Sequence, residues 1–252
     1  MTDSAFDPRA LAAKLRSLRN AGKQASTAEF PLPGDHRQAM DAQNFLSAEE
    51  GIRSNAWKVA MPADNQPVTA PLHPYVEAVS GAKLPWVAGM KYEAEIAVRL
   101  GKDLPIRSGG KYTRAEIADA IADAYLGVEL SWTAVAEGNK ISPLLFLADR
   151  LANLGYVLGP ALPRSILDTC TGTPLKVTLN GQPIYDATAQ HVKVDVLTWL
   201  VDYANDTFRP DSSLRSGAVI TTGSLCGAIE LASGGELDTT LGGAKMHLSL
   251  TQ

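Results

Sequence analysis

Apolar positions near the start of the chain recur at helical spacing. Leu11, Leu15 and Leu18 follow Asp7-Pro8, an N-cap with proline at the first helical position, and Asn20 and Gly22 close the run. A break at Pro31, Pro33 and Gly34 precedes Asp35, which can cap a second helix running to about Gly51. The period then changes. Over residues 55–61, NAWKVAM, Trp57, Val59 and Met61 share one face of a predicted strand, and Lys58 falls on the other beside the small Ala56 and Ala60. A polar, proline-rich loop runs from Pro62 to Pro74. The segment KYEAEIAVRL, Lys91 to Leu100, fits helix or strand. Thr113 and Glu116 form a capping box. They predict a helix with Ile117, Ile121 and Tyr125 on one stripe, stopped at Gly127, and a short strand VELSW follows. Ser142-Pro143 opens another predicted helix, ending near Gly155.

The last hundred residues read as β-rich. Asn180-Gly181 between KVTL and QPIY signals a two-residue hairpin. His191 to Asp206 carries helical periodicity through Val194, Leu197, Leu200, Val201 and Ala204. GAVITTGS and AKMHLSL read as strands separated by a glycine-rich turn. Helices early and strands late indicate an α+β fold rather than a regular βαβ series. The expected organisation is an N-terminal helical cap, 1–52, on a β-rich unit, 53–252.

Composition narrows the function classes. The chain has 252 residues, enough to bury a substantial core without disulfides. Its formal net charge of -4 lacks the electrostatic footprint of a nucleic-acid binder. The basic residues Lys14, Arg16, Arg19 and Lys23 read as a solvated helix face. Cys170 and Cys226 form no metal-binding spacing; one disulfide is possible, and two reduced thiols are the simpler reading. No signal peptide and no apolar run of membrane-spanning length is seen, so a cytoplasmic protein is expected.

The sharpest chemical feature is Glu93-Ala94-Glu95. On a strand both carboxylates share a face, and their mutual repulsion is relieved by a hard divalent cation with oxygen ligands. On an exposed element the same pair is merely solvated. Glu129 interrupts the apolar run Val128-Glu129-Leu130-Ser131-Trp132, where a carboxylate must be exposed, paired or bound to metal.

The order E-x-E, then a glutamate in G-V-E-L-S-W, resembles the metal-binding pattern of the fumarylacetoacetate hydrolase superfamily. Trp57-Lys58-Val59 is similar to the family's lysine strand. Ala148-Asp149 through Gly159, Thr198-Trp199-Leu200, Gly217 through Ser224 and Ala39 through Gln43 are similar, in the same order, to elements of its 2-keto-4-pentenoate hydratases. The resemblance implies a mixed β-roll with an N-terminal helical region. It implies Mg²⁺ or Mn²⁺ held by Glu93, Glu95 and Glu129, with Lys58 moving protons or binding the substrate carboxylate. Gly223, Ser224 and Asp149 would line the pocket for a small 2-oxo acid. The expected reaction is addition of water to a 2-oxo-enoate in aromatic catabolism, by a homo-oligomer. An oxalocrotonate-type decarboxylase or an acylpyruvate hydrolase would use the same metal site, and a non-catalytic 2-oxo-acid-binding relative is a further reading. One departure stands out: Val68 falls where hydratases carry a catalytic aspartate. His73 nearby is the candidate replacement base.

Overall fold

The computed structural model describes residues 6–53, 55–61, 66–78, 80–210 and 213–251; part of the expected 62–74 loop lies outside these. Two helices open the chain. Helix α1, Pro8–Ala21, is capped by the Asp7 side chain and closed by left-handed Gly22. Helix α2, His36–Glu49, is capped by Asp35, whose carboxylate accepts from Gln38 N. Strands β1, Ala56–Ala60, β2, Val68–Pro71, β3, Tyr75–Glu77, β4, Ser80–Pro85, and β5, Lys91–Leu100, follow. Then come α3, Arg114–Ala120, β6, Ile121–Ser131, α4, Pro143–Ala148, and β7, Asn153–Leu162. The chain continues through β8, Pro174–Leu179, β9, Gln182–Thr188, α5, Thr198–Ala204, and β10, Val219–Ser224. It finishes with β11, Ile229–Glu230, β12, Gly235–Leu241, and β13, Ala244–Thr251.

The strands form two sheets. The larger runs β2-β1-β10-β5-β6-β7-β3, with β11 on β5; the smaller runs β4-β13-β12-β8-β9. Pairing is antiparallel except for β1 with β10, β3 with β7 and β4 with β13. Period-two alternation in β5 gives the large sheet two unlike faces. Tyr92, Ile96 and Val98 point into a core shared with Val177, Leu237 and Leu248 of the small sheet. Glu93, Glu95 and Ala97 point the other way. That second face is walled by a separate cluster in which Leu11 and Leu15 of α1, Leu46 of α2 and Leu145 of α4 pack with Val68, Trp132 and Leu151.

The α+β class holds, but strands and helices interleave. Three predicted helices are shorter than expected. The capping box at Thr113 and Glu116 is present, yet α3 ends at Ala120. Ile121 and Tyr125 belong to β6, an eleven-residue strand hydrogen-bonded on both edges by β5 and β7. Two flanking ladders outweigh a weak local helical preference. Gly127 therefore stops no helix. It lies mid-strand because a Cβ there would sit 1.8 Å from the Tyr156 hydroxyl.

Helix α4 stops at Ala148 rather than near Gly155. Arg150, Leu151 and Ala152 take φ of 54°, 52° and 60°, a left-handed turn that reverses the chain into β7. Such backbone costs about 1–3 kcal/mol per residue and needs outside support. Trp132 N supplies it by donating to Ala152 O at 2.7 Å. In the predicted helix 191–206 only Thr198–Ala204 is helical. His191 is turned inward instead, donating from Nε2 to Thr222 O at 2.7 Å. The glycine-rich segment after β10 contains β12, which alternation alone did not reveal. The Asn180-Gly181 hairpin is confirmed, with φ of 52° and 75°. Cys170 and Cys226 are free thiols, and among the described residues no helix is long and apolar enough to cross a membrane.

Candidate metal centre

Register brings the three acids together. Glu93 on β5 is directly opposite Glu129 on β6, and Glu95 follows two residues along the same face. One carboxylate oxygen from each lies within 4.8 Å of the others. Glu95 and Glu129 are 1% and 0% exposed, so water cannot relieve their repulsion. Burial, reinforced by the neighbouring carboxylates, raises the Glu95 pKa well above its ordinary value. Burial also raises that of Glu129, partly offset by Lys58.

Lys58 reaches this face because β1 pairs in parallel with β10, which pairs with β5. Its Nζ donates to Glu129 Oε1 at 3.0 Å, lies 2.9 Å from Oε2, and donates to Leu151 O of the left-handed turn at 3.4 Å. Burial alone would lower the Lys58 pKa, but the attraction of Glu129, Glu93 and Glu95 together raises it. Lys58 is therefore a charged donor.

The residues fit a divalent cation. With all three ionised, the carboxylates against one ammonium would leave two uncompensated negative charges in a buried site, which a divalent cation balances. Glu95 Oε2 is buried with no hydrogen-bond partner, an arrangement that is costly unless something binds there. An all-oxygen donor set selects hard ions of the Mg²⁺, Mn²⁺ or Ca²⁺ type.

Two cavities open on the cluster. One, of about 420 Å³, is lined by Lys58, Glu93, Lys91 and Ser131 and walled by apolar groups including Ile141 and Phe146. The other, of about 290 Å³, is lined by Lys58, Glu93, Glu95, Trp199, Gly223 and Ser224. Gly223 has φ of 110°, and a Cβ there would meet the Trp199 ring at 2.5 Å. The expected Gly223-Ser224 turn thus stands beside the acids.

Two expected residues lie elsewhere. Asp149 lines neither cavity. It is fully buried, with Oδ1 2.6 Å from Arg19 Nη1, and Oδ2 accepting from Thr133 Oγ1 at 2.7 Å and Ala134 N at 2.9 Å. Its oxygens tie α1 to the turn after α4 and are not available to a substrate. His73 lines a different cleft with Arg16, Arg19 and Arg150. Burial first, then the charge of Arg150, lowers its pKa. It lines neither cavity at the acid cluster, and Val68 is itself buried against α-helical residues.

Sequence reading missed Asn153. Its Nδ2 donates to Glu129 Oε1 at 3.1 Å, and its Oδ1 accepts from His73 N at 2.8 Å. Ser131 was missed too, although it lies two residues beyond Glu129 on a strand; its Oγ donates to Glu93 Oε1 at 3.2 Å. Asn153 offered no such signal, because the segment reads as the end of a helix.

The family model "Fumarylacetoacetate (FAA) hydrolase C-terminal" matches residues 36–246. No curated protein sequence matches the chain. Among solved structures, 4-oxalocrotonate decarboxylase from Pseudomonas putida G7, complexed with magnesium and adipate, is similar with a TM-score of 0.75 and 18% identity. That match covers 96% of this chain and 97% of the decarboxylase. A 5-carboxymethyl-2-hydroxymuconate delta-isomerase from Mycobacterium smegmatis is similar with a TM-score of 0.53 and 20% identity over 78% of each chain. A 2-hydroxyhepta-2,4-diene-1,7-dioate isomerase from Mycobacterium marinum has a TM-score of 0.52 and 19% identity, over 78% of this chain and 73% of that one.

Proposed function

The chain belongs to the fumarylacetoacetate hydrolase family, and on that premise we propose that it is a divalent-metal-dependent lyase acting on a small 2-oxo acid, with hydration of a 2-oxo-enoate as its reaction. The observation that carries this reading is the convergence of Glu93, Glu95 and Glu129 within 4.8 Å, beside two cavities, one lined by Glu93 and the other by Glu93 and Glu95. Those three residues would hold Mg²⁺ or Mn²⁺, which when bound supplies Lewis-acid stabilisation of negative charge on the keto oxygen. Lys58 holds a proton at Nζ beside Glu129 and presents it to substrate in either cavity. Asn153 and Ser131 orient the carboxylates by donating to Glu129 and Glu93. The apolar walls around Phe146 and Ile141 give the reacting chain a low-polarity surface to pack against.

Decarboxylation of an oxalocrotonate-like diacid is the second reading. It is favoured by Val68: beyond the acid cluster, no carboxylate or histidine lines either cavity to activate water, among the described residues. Ultraviolet absorbance tests the hydration reading. The conjugated enol of 2-hydroxypenta-2,4-dienoate should disappear with protein and Mg²⁺ and persist with EDTA. Persistence under every divalent metal removes hydration. Incubation of 2-oxohex-3-enedioate, with products read by mass, then separates gain of water from loss of carbon dioxide.

The buried acids also predict a pH dependence. A carboxylate whose folded-state pKa is raised stabilises the fold while protonated and loses that contribution as pH rises through its folded value. Glu95 and Glu129 both have this sign. Metal binding requires their ionised forms. The rise in melting temperature produced by Mg²⁺ over EDTA should therefore grow between about pH 5 and about pH 9, above the unperturbed carboxylate range. A shift that stays constant across that range would argue against these acids as ligands.

A further inference from the structure

Lys91 is a cation that the reaction scheme above does not use. It stands two residues before Glu93 on β5, hence on the same face, and lines the 420 Å³ cavity. It is half-buried, and its side chain has no hydrogen bond or ion pair among the described residues. Glu230 is opposite it in the β11 register but forms no ion pair with it. Lys58, the other cation lining these cavities, is already engaged by Glu129. Apart from Ser131 and the acid cluster, the cavity near Lys91 is apolar, walled by Met61, Ile141, Pro143, Phe146 and Leu151. A carboxylate entering that space needs a cation or pays for its desolvation.

Resting on the proposed 2-oxo-acid site, we infer that Lys91 recognises a second carboxylate, at the far end of the substrate from the keto group, and makes the chain selective for dicarboxylic 2-oxo acids. The spacing suits this role. Two residues of strand separate the Cα atoms of Lys91 and Glu93 by about 6.7 Å, and a six-carbon 2-oxo diacid anchored at its keto end over the acids spans a similar length. Charge suits it too. The acids, Lys58 and a divalent cation sum to neutrality, so the site has no other spare positive charge for a remote carboxylate.

Calorimetric titration with 2-oxoadipate and with 2-oxohexanoate, a monoacid of the same carbon number, tests the inference in the presence of Mg²⁺. The wild-type chain should bind the diacid about tenfold tighter, the increment typical of one hydrogen-bonded charge pair. Lys91→Met should erase that preference while 2-oxohexanoate still binds, which also shows that the variant is folded. Equal binding of both acids by the wild type, or a diacid preference that survives Lys91→Met, overturns the role of Lys91 and leaves the metal site standing. Absence of Mg²⁺-dependent binding by either acid overturns both.

Discussion

Glu129→Gln is expected to lower metal-dependent turnover about 100-fold or more, beyond the ~10–100-fold usual for losing an outer-shell partner of a metal site. The side chain is 0% exposed, faces Glu93 across the ladder and contacts Lys58 and Asn153, so its removal takes out a central member of the cluster. The amide is nearly isosteric but neutral. It relieves like-charge repulsion among buried carboxylates, so the EDTA-treated variant should melt no lower than the wild type. Loss of Mg²⁺ stabilisation together with an unchanged or raised metal-free melting temperature is the signature of a ligand. Retention of wild-type Mg²⁺ affinity would remove Glu129 from the site. Lys58→Met should differ, keeping Mg²⁺ binding and losing rate.

Asp149→Ala is expected to destabilise the protein by about 3–5 kcal/mol, because it strands a buried charge rather than a surface one. Arg19, whose side chain is 3% exposed, loses its carboxylate partner, and Thr133 and Ala134 lose an acceptor. For a chain of this size such a loss corresponds to a melting temperature lower by about 10 °C. Where the variant remains folded, its KM should match the wild type, since Asp149 lines neither cavity at the acid cluster. A raised KM without a stability loss would return Asp149 to the substrate pocket.

Much of the local structure was legible because it is set by neighbouring residues. Asp7-Pro8 and Asp35 start α1 and α2 by satisfying the first backbone donors, and Asn180-Gly181 turns β8 into β9 through its positive φ values. The candidate acids were legible as well, since Glu129 in an apolar run demands a partner wherever the run folds. Other features were ambiguous for a physical reason. Ala94, Ile96, Ala97 and Val98 are all buried, so β5 shows no clean alternation and reads as helix or strand alike. Residues 121–125 and 150–154 keep helical spacing, but ladders to β5 and β7 and the left-handed turn claim them instead.

Sequence by itself thus determined the α+β class, the chain starts and turns that local hydrogen bonding dictates, and the residue types able to hold a hard cation. Only the tertiary structure decided which of those residues meet. The Glu93–Glu129 register, the parallel β1–β10 pairing that carries in Lys58, and the departure of His73 and Asp149 into the arginine-lined cleft and the α1 anchor are all non-local contacts. Their free energy comes from long-range strand pairing and burial, which no window of neighbouring residues contains.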